Sequence, residues 1–578
     1  MKKHKIIIGI FSIISLFNIT SCETFELDKT QDPFNLTPEK SNVDFLFNSI
    51  EENFVRQIEG DADYSAGDNW SSGGSTNGDG LSLFGGQLTR IYAMSNTNAN
   101  SYRSTYQASD SDDEWTNFYT GILLNIRFMN KLAEEQGKYK HIGIGQFIEA
   151  YTMTAMVDFY GDIPYSEATL GLSNLNPKLD SGSSIYSKAI ELLDKAIINF
   201  DKKSTSNPTV EVFYNNNYSN WIKAANTLKM KLYLQTRNVD NNAINKFNNI
   251  IASGNYIQNS NEDLVYNWPG KSTSNPDSRH PRYGLNYGST GASDYMSNWL
   301  MGTMSNLSDP RIRYYFYRQR AAVPGQEIPA SEQNLACSLQ TAPPHYVAGG
   351  YTFCNLPNGY WGRDHGDVAG TPPDGFLRTT FGVYPAGGKF DGNNFKDVYD
   401  STKRESIGAQ GKGITPILLS SWVHFMKAEV ALSQNNTGIA KTEMLTGINE
   451  SISKVQTFGA NDPDLSKDIA FIPTPNSITN YINNIDNAWN NAGITDKWNI
   501  LAIQQFIANF GNGIETYNYY RRTGYPTTLQ PNRDINSGNF VRSLYYPSNA
   551  VNNNKNINQK PTQTTTVFWN TNPSPIAN

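Results

Sequence analysis

Apolar residues return at intervals of three and four along much of this chain, the repeat of an amphipathic helix. Val43, Leu46, Phe47, Ile50 and Phe54 form one stripe, entered through Thr37 as a cap, Pro38 at the first helical position and Glu39 near the positive end. Trp115, Phe118, Tyr119, Ile122, Leu123, Ile126 and Met129 form the next. Phe147, Tyr151, Thr154, Ala155 and Phe159 follow, then Ile185, Ala189, Leu192, Leu193, Ala196 and Phe200, then Trp221, Ala225, Leu228, Leu232 and Tyr233. A short partner helix over 243–252 ends at Gly254. Helices starting near Gln146, Ser184 and Trp221 recur a little above the tetratricopeptide period of about 34 residues. Ala150, Ala189, Ala224 and Ala225 suit close contacts between them. The expected fold class is mostly α: an irregular tetratricopeptide-like array of helical pairs, in which each pair needs a neighbour to bury its second face.

The periodicity fails twice. Residues 60–86 are rich in Gly, Ser, Asn and Asp and form a loop around Trp70, which either covers a core edge or meets a ligand. Residues 255–413 are rich in Gly, Pro, Tyr and Asn, with only a few short helical pieces such as that over 295–304. That segment is too long for a connector and reads as an ordered insertion with its own packing. It gathers Trp268, Tyr283, Tyr287, Trp299, Tyr346, Tyr351, Tyr360 and Trp361. Helical stripes resume with Leu418, Trp422, Phe425, Met426 and Glu429, continue over 478–492 and 497–510, and give way to a loop-like tail after Gly524 with some strand beyond Pro547. The chain thus divides into 37–254, the insertion 255–413, and C-terminal helices and tail over 414–578.

Residues 158–168, Asp-Phe-Tyr-Gly-Asp-Ile-Pro-Tyr-Ser-Glu-Ala, stand at the end of one stripe. Asp158, Asp162 and Glu167 beside Tyr160 and Tyr165 look like an active-site loop. Turn chemistry accounts for them more simply: Gly161 closes the helix in a left-handed conformation and Pro164 stops it from resuming. The stretch is read as an architectural corner.

Composition narrows the class. Charged residues are 17% and the net charge is −6, which argues against a nucleic-acid partner held through phosphates. Lys2, Lys3 and Lys5 precede an apolar run over 6–17, and Ile-Thr-Ser-Cys at 19–22 has the form of a lipobox. Residues 1–21 are therefore a signal peptide, Cys22 the lipidated residue and 22–36 a tether. Two cysteines remain in the exported body, Cys337 and Cys354; they read as one disulfide stapling a loop, against two free thiols.

Several stretches taken together resemble the SusD/RagB family of outer-membrane lipoproteins, in its SusD-like branch. They are the lipobox, the corner at 158–168, Asp309-Pro310-Arg311, and Phe-Met-Lys-Ala-Glu-Val-Ala at 425–431. To these add Gly-Tyr-Trp-Gly-Arg-Asp-His-Gly-Asp at 359–367, Thr-Pro-Pro-Asp at 371–374 and the Gly-rich run at 382–388. Phe-Gly-Asn-Gly-Ile-Glu at 510–515, Tyr-Arg-Arg-Thr-Gly-Tyr-Pro at 520–526 and Arg-Ser-Leu-Tyr-Tyr-Pro at 542–547 close the chain. The resemblance implies four tetratricopeptide-like units and a lipid-tethered body outside the outer membrane. It implies a binding lid on a SusC-like, TonB-dependent transporter, taking in oligosaccharides or other polymers.

Catalytic patterns are missing: there is no nucleophile elbow, Walker loop or zinc helix, and the six histidines are scattered. The expectation is a binding protein and not an enzyme, with glycan as ligand; peptides are the alternative ligand and a lipid-anchored hydrolase the alternative class. A sugar needs flat apolar faces and nearby amides or guanidinium groups. Trp70, Tyr283, Tyr287 and Trp361, with Asn69 and Arg363 as polar partners, are the expected ligand residues. Arg521 and Arg522 are expected to pair with acids such as Glu515. Asp364, Asp367 and Asp374 supply three carboxylates within eleven residues, which either cap turns beside Arg363 or hold calcium through oxygen ligands.

Overall fold

The computed structural model describes residues 41–60, 80–94, 107–270, 278–325, 335–367, 374–400, 407–463, 465 and 469–572. Cys22, the tether, the Thr37 cap, Asn69 and Trp70 lie outside the described residues. Helix α1 (Val43–Glu59) turns Val43, Phe47, Ile50 and Phe54 into the core. Helix α2 (Leu81–Leu88) is buried along its whole length and rests against a late helix. Helix α3 (Leu124–Glu135) is entered through Asp112–Thr116 and a π-helical stretch Asn117–Leu123.

Helix α4 (Tyr139–Tyr160) has almost no polar stripe, and from His141 onward every residue is buried. A helix apolar on all sides must be enclosed by others. It packs on α1, α3 and α5 (Gly182–Asp201). Helix α6 (Tyr218–Thr236) lies on α5, and α7 (Ala243–Ser253) on α6, so successive helices stack in chain order. Side-chain caps set the starts: Ser181 accepts from the Ser184 amide at 3.2 Å and Asn217 from the Asn220 amide at 3.3 Å. Ala150, Ala189, Ala224 and Ala225 are all solvent-free. The fold is mostly helical, in a tetratricopeptide-like array.

Strands are short and come in antiparallel pairs: β1 (Tyr92–Met94) with β5 (Tyr295–Met296), β2 (Ile163–Pro164) with β3 (Leu179–Asp180), β4 (Leu264–Asn267) with β8 (Ile414–Leu418), and β6 (Phe316–Tyr317) with β7 (Thr380–Phe381). The expected helix over 295–304 begins later, as α8 (Asn298–Asn306): β1 recruits Tyr295 and Met296 into pairing, and Ser297 then caps the helix. Helices α9 (Ser420–Ser433), α10 (Thr437–Phe458), α11 (Pro475–Asn491), α12 (Ile494–Ala508) and α13 (Gly513–Thr523) complete the body. Beyond them the tail carries a short helix, Ser548–Asn553, where some strand was expected. None of the described helices is long and apolar enough to cross a membrane.

The insertion does not pack by itself. One core runs from Phe47 and Phe147 through Met296, Leu300, Tyr315 and Phe381 of the insertion to Phe506, Tyr517 and Trp569. Two smaller clusters belong to the insertion: one joins Cys337, Cys354, Trp361 and Tyr295, the other Tyr283, Tyr287, Tyr317 and Val398.

Candidate functional site

The corner at 158–168 is largely buried, with Asp162 and Ser166 at the surface, and its acids are all hydrogen-bonded to protein. Gly161 has φ 78 and ψ −127, a region beyond the left-handed helix that glycine alone enters readily. The helix-ending role stands, in a different conformation from the expected one. The Asp158 carboxylate accepts from Tyr186 Oη, from Asn518 Nδ2 at 2.7 Å and from Trp569 Nε1 at 2.9 Å. Burial raises its pKa, while Arg521 opposes the rise. Asp162 caps the start of α5 through the Gly182 amide at 2.8 Å, and Tyr165 Oη donates to Glu149 at 2.7 Å. Glu167 accepts from Asn174 and the Lys178 amide. Every acid of the stretch holds protein, which is the work of a corner. Arg522 pairs with Glu429 at 2.7 Å, not with the expected Glu515, which takes Lys231 instead. Arg521 donates to the carbonyls of Asp158 and Arg542.

Four of the six expected ligand residues are interior. Tyr283 and Tyr287 are 2% and 3% exposed and stack on each other at 4.5 Å with 8° between planes. Their hydroxyls donate to the carbonyls of Ile407 and Phe381. A spacing of four on a helical turn brings two rings together, and that spacing was the available sign that they serve each other. Trp361 is buried against the Cys337–Cys354 disulfide, whose Cα atoms are 5.5 Å apart. Arg363 is 1% exposed and lies 4.1 Å from the Tyr295 ring centroid. None of the four offers an open face, which corrects their assignment as a ligand platform.

The three carboxylates expected to cap turns or hold calcium are held apart by different partners. Asp364 accepts from Asn298 Nδ2 at 2.9 Å, the Cys354 amide at 2.6 Å and Gln530 Nε2 at 3.0 Å; burial pushes its pKa up to about 6. Asp367 pairs with Arg533, and Asp374 accepts from Tyr295 Oη and pairs with Arg378. Among the described residues no three metal-type side chains converge. The geometry does not fit a calcium cage.

An open groove of about 500 Å³ lies elsewhere in the insertion, lined by none of the four expected residues that are described. Its floor is anchored by the Asp309-Pro310-Arg311 turn. Arg311 bonds Asp309 through Nε at 2.9 Å and Nη2 at 2.6 Å, while Ser451 and Tyr481 tie the pair to α10 and α11. The next strand, β6, is held by β7 and delivers Arg318 to the groove wall. Arg318 grips Asp391 through Nε and Nη2 and donates to the Asn358 carbonyl at 2.6 Å. Burial works against its charge, yet Asp391 outweighs this and raises its pKa. Its guanidinium carbon lies 4.8 Å from the Tyr360 ring centroid and 5.2 Å from that of Phe395. Arg313 lies over Phe471 at 4.7 Å.

The walls of this groove are strained. Ser308, Asn358, Asn393 and Phe395 all line it and have φ of 54, 64, 59 and 47. For an aromatic residue that is a rarely populated conformation, held only where the surroundings impose it. Gly359 is required beside Tyr360, because a Cβ there would stand 2.2 Å from the Arg320 carbonyl oxygen. Exposed Asn358, half-buried Asn393 and Phe395 and the partly exposed Arg313 guanidinium thus meet at one surface, with Tyr360 and Arg318 buried behind them. The Asn-Gly pair at 358–359 and Gly-Asn at 392–393, each next to an aromatic, were the sequence signs of it.

Residues 76–331 match a family model described as starch-binding and associating with the outer membrane, and residues 389–569 one described as SusD and RagB outer membrane lipoprotein. No curated protein matches the chain. Among solved structures, a chitin-binding SusD homologue from Flavobacterium johnsoniae is similar at 17% identity and TM-score 0.60, covering 93% of this chain and 100% of that one. A SusD/RagB family protein from Bacteroides thetaiotaomicron is similar at 16% identity and TM-score 0.61, with 92% and 100% covered. A chitin-binding protein is similar at 19% identity and TM-score 0.58, with 84% and 94% covered.

Proposed function

The chain belongs to the SusD/RagB family of outer-membrane lipoproteins, and from that premise we propose that it captures oligosaccharides or polysaccharides and passes them to a SusC-like, TonB-dependent transporter. The body faces the cell exterior on a lipid carried by Cys22. Capture is by binding, without cleavage: among the described residues the groove lining includes no carboxylate, and Asp391 beside it is committed to Arg318. The observation that carries the reading is the meeting of Phe395 with Asn358, Asn393 and Arg313 in one open groove, backed by buried Tyr360 and Arg318. Aromatic edges and faces suit the C–H surface of a pyranose, and amides suit its hydroxyls. Similar structures named for chitin binding support a glycan as the ligand class.

Calorimetric titration of the purified protein with a glycan panel and a peptide panel tests this. Glycan binding is expected, weakened roughly tenfold by Phe395→Ala with little change in melting. Retention of peptides alone would overturn the glycan as ligand, and release of shortened sugars would overturn binding without cleavage. Co-purification of a barrel transporter with the lipidated protein tests the partner.

A further inference from the structure

Resting on the glycan-capture reading, we infer that this groove selects sugars bearing an anionic substituent, a uronate carboxylate or a sulfate ester. The chain as a whole carries a net charge of −6, yet the described residues lining the groove include two arginines and no acid. The nearest buried acid, Asp391, answers one of them: Arg318 takes both of its oxygens through Nε and Nη2. Arg313 is the cation in excess. Its side chain is 26% exposed, and only Nη1 is engaged, with the Asp391 carbonyl at 2.7 Å and Asn393 Oδ1 at 2.9 Å. Both acceptors are neutral, and the same Nη1 stands 3.6 Å from the Asp391 carboxylate that Arg318 already occupies.

Nε and Nη2 of Arg313 make no hydrogen bond to any described residue. The Phe471 ring at 4.7 Å fixes the plane of the guanidinium, so the remaining donors are oriented before a ligand arrives. Two N–H groups side by side match the two oxygens of a carboxylate or sulfate, and such charge-assisted pairs are stronger than bonds to neutral hydroxyls. Partial exposure spares the guanidinium most of the desolvation cost that a buried ion pair meets. Neighbouring Arg320 pairs with Asp397 at 2.6 Å and adds no net charge to the rim. The aromatic and amide residues would then hold the ring, and Arg313 would read its charge.

The test compares three probes by calorimetry at low and moderate salt: an oligogalacturonide, its fully methyl-esterified form, and a sulfated oligosaccharide. The acid is expected to bind roughly tenfold more tightly than its neutral ester, with the preference shrinking as salt rises. Arg313→Gln should abolish the preference, read as the ratio of acid to ester affinity; Arg313→Lys should keep part of it, with melting recorded for both variants. Preference for the sulfated probe alone identifies sulfate as the source of the anion. Equal binding of acid and ester, unaffected by Arg313→Gln, would overturn the inference while leaving glycan capture standing. Failure of every sugar to bind would overturn both.

Discussion

The corner at 158–168 and the groove around Arg318 use the same kinds of side chain for opposite ends. In the corner, Asp158 and the two tyrosines are buried, Asp162 and Glu167 reach the surface, and each acid is matched by protein donors; the backbone departs from ordinary conformations only at Gly161. In the groove, four non-glycine residues are held at positive φ, and the Arg313 fork is only partly used. The corner spends its polar groups on the fold, and the groove keeps some of them unspent. A concentration of functional-looking residues is therefore weaker evidence of a site than a surface where strain and unmet bonding capacity coincide.

The contrast breaks most visibly at Asp158. Asp158→Ala removes the acceptor shared by Tyr186, Asn518 and Trp569 and should cost about 3–5 kcal/mol, read by chemical denaturation. Ligand affinity of the folded fraction should not change; a loss of binding at unaltered stability would restore the corner as a site. A smaller effect concerns pH. Asp364, buried behind the disulfide, titrates near 6 in the folded protein against an ordinary 3.8. The unfolded chain gives up that proton first, so this contribution to stability is present below pH 4, falls as pH rises to 6 and is flat above 7. The stability difference between the protein and Asp364→Asn should shift by about 2–3 kcal/mol between pH 4 and 7. Ligand affinity should stay level from pH 5 to 7, because the groove is lined by no carboxylate or histidine. The smallest effect is at Ser308, exposed on the rim at φ 54. Ser308→Gly should raise stability by about 0.5 kcal/mol, the relief of strain less the entropy of the added glycine, with affinity unchanged. A marked loss of stability would mean that the backbone there is not strained.

The helical body was legible because its signal is repeated: Phe147, Tyr151 and Phe159 mark a buried face whichever tertiary neighbours they meet. Gly524 likewise marks a stop through backbone chemistry alone, whereas Pro475 opens its helix three residues before the expected start at 478. The groove carries no such repetition. Phe395 at positive φ is imposed by its surroundings, against its own preference, and no local pattern announces it. Tyr360 was one aromatic of many in the insertion, separated from Trp361 by a single position, yet Trp361 goes to the disulfide cluster and Tyr360 to the groove. The misassigned pair, Tyr283 and Tyr287, was selected for its aromatic character, when its spacing already implied mutual stacking. Arg522 found Glu429 instead of Glu515 because the partner is 93 positions away and is brought near only by the packing of α9 on its neighbours.

The pairing of β4 with β8 sets Leu264 opposite Leu418 and Asn267 opposite Ile414, so the chain leaves for the insertion and returns from it at one place. An excursion whose two ends share a single ladder can lengthen, shorten or be exchanged at little cost in loop closure. The insertion is thus pinned at its neck and pressed along its length into the common core through Met296, Leu300, Tyr315 and Phe381, so a change of its loops is tolerated only where those contacts are kept.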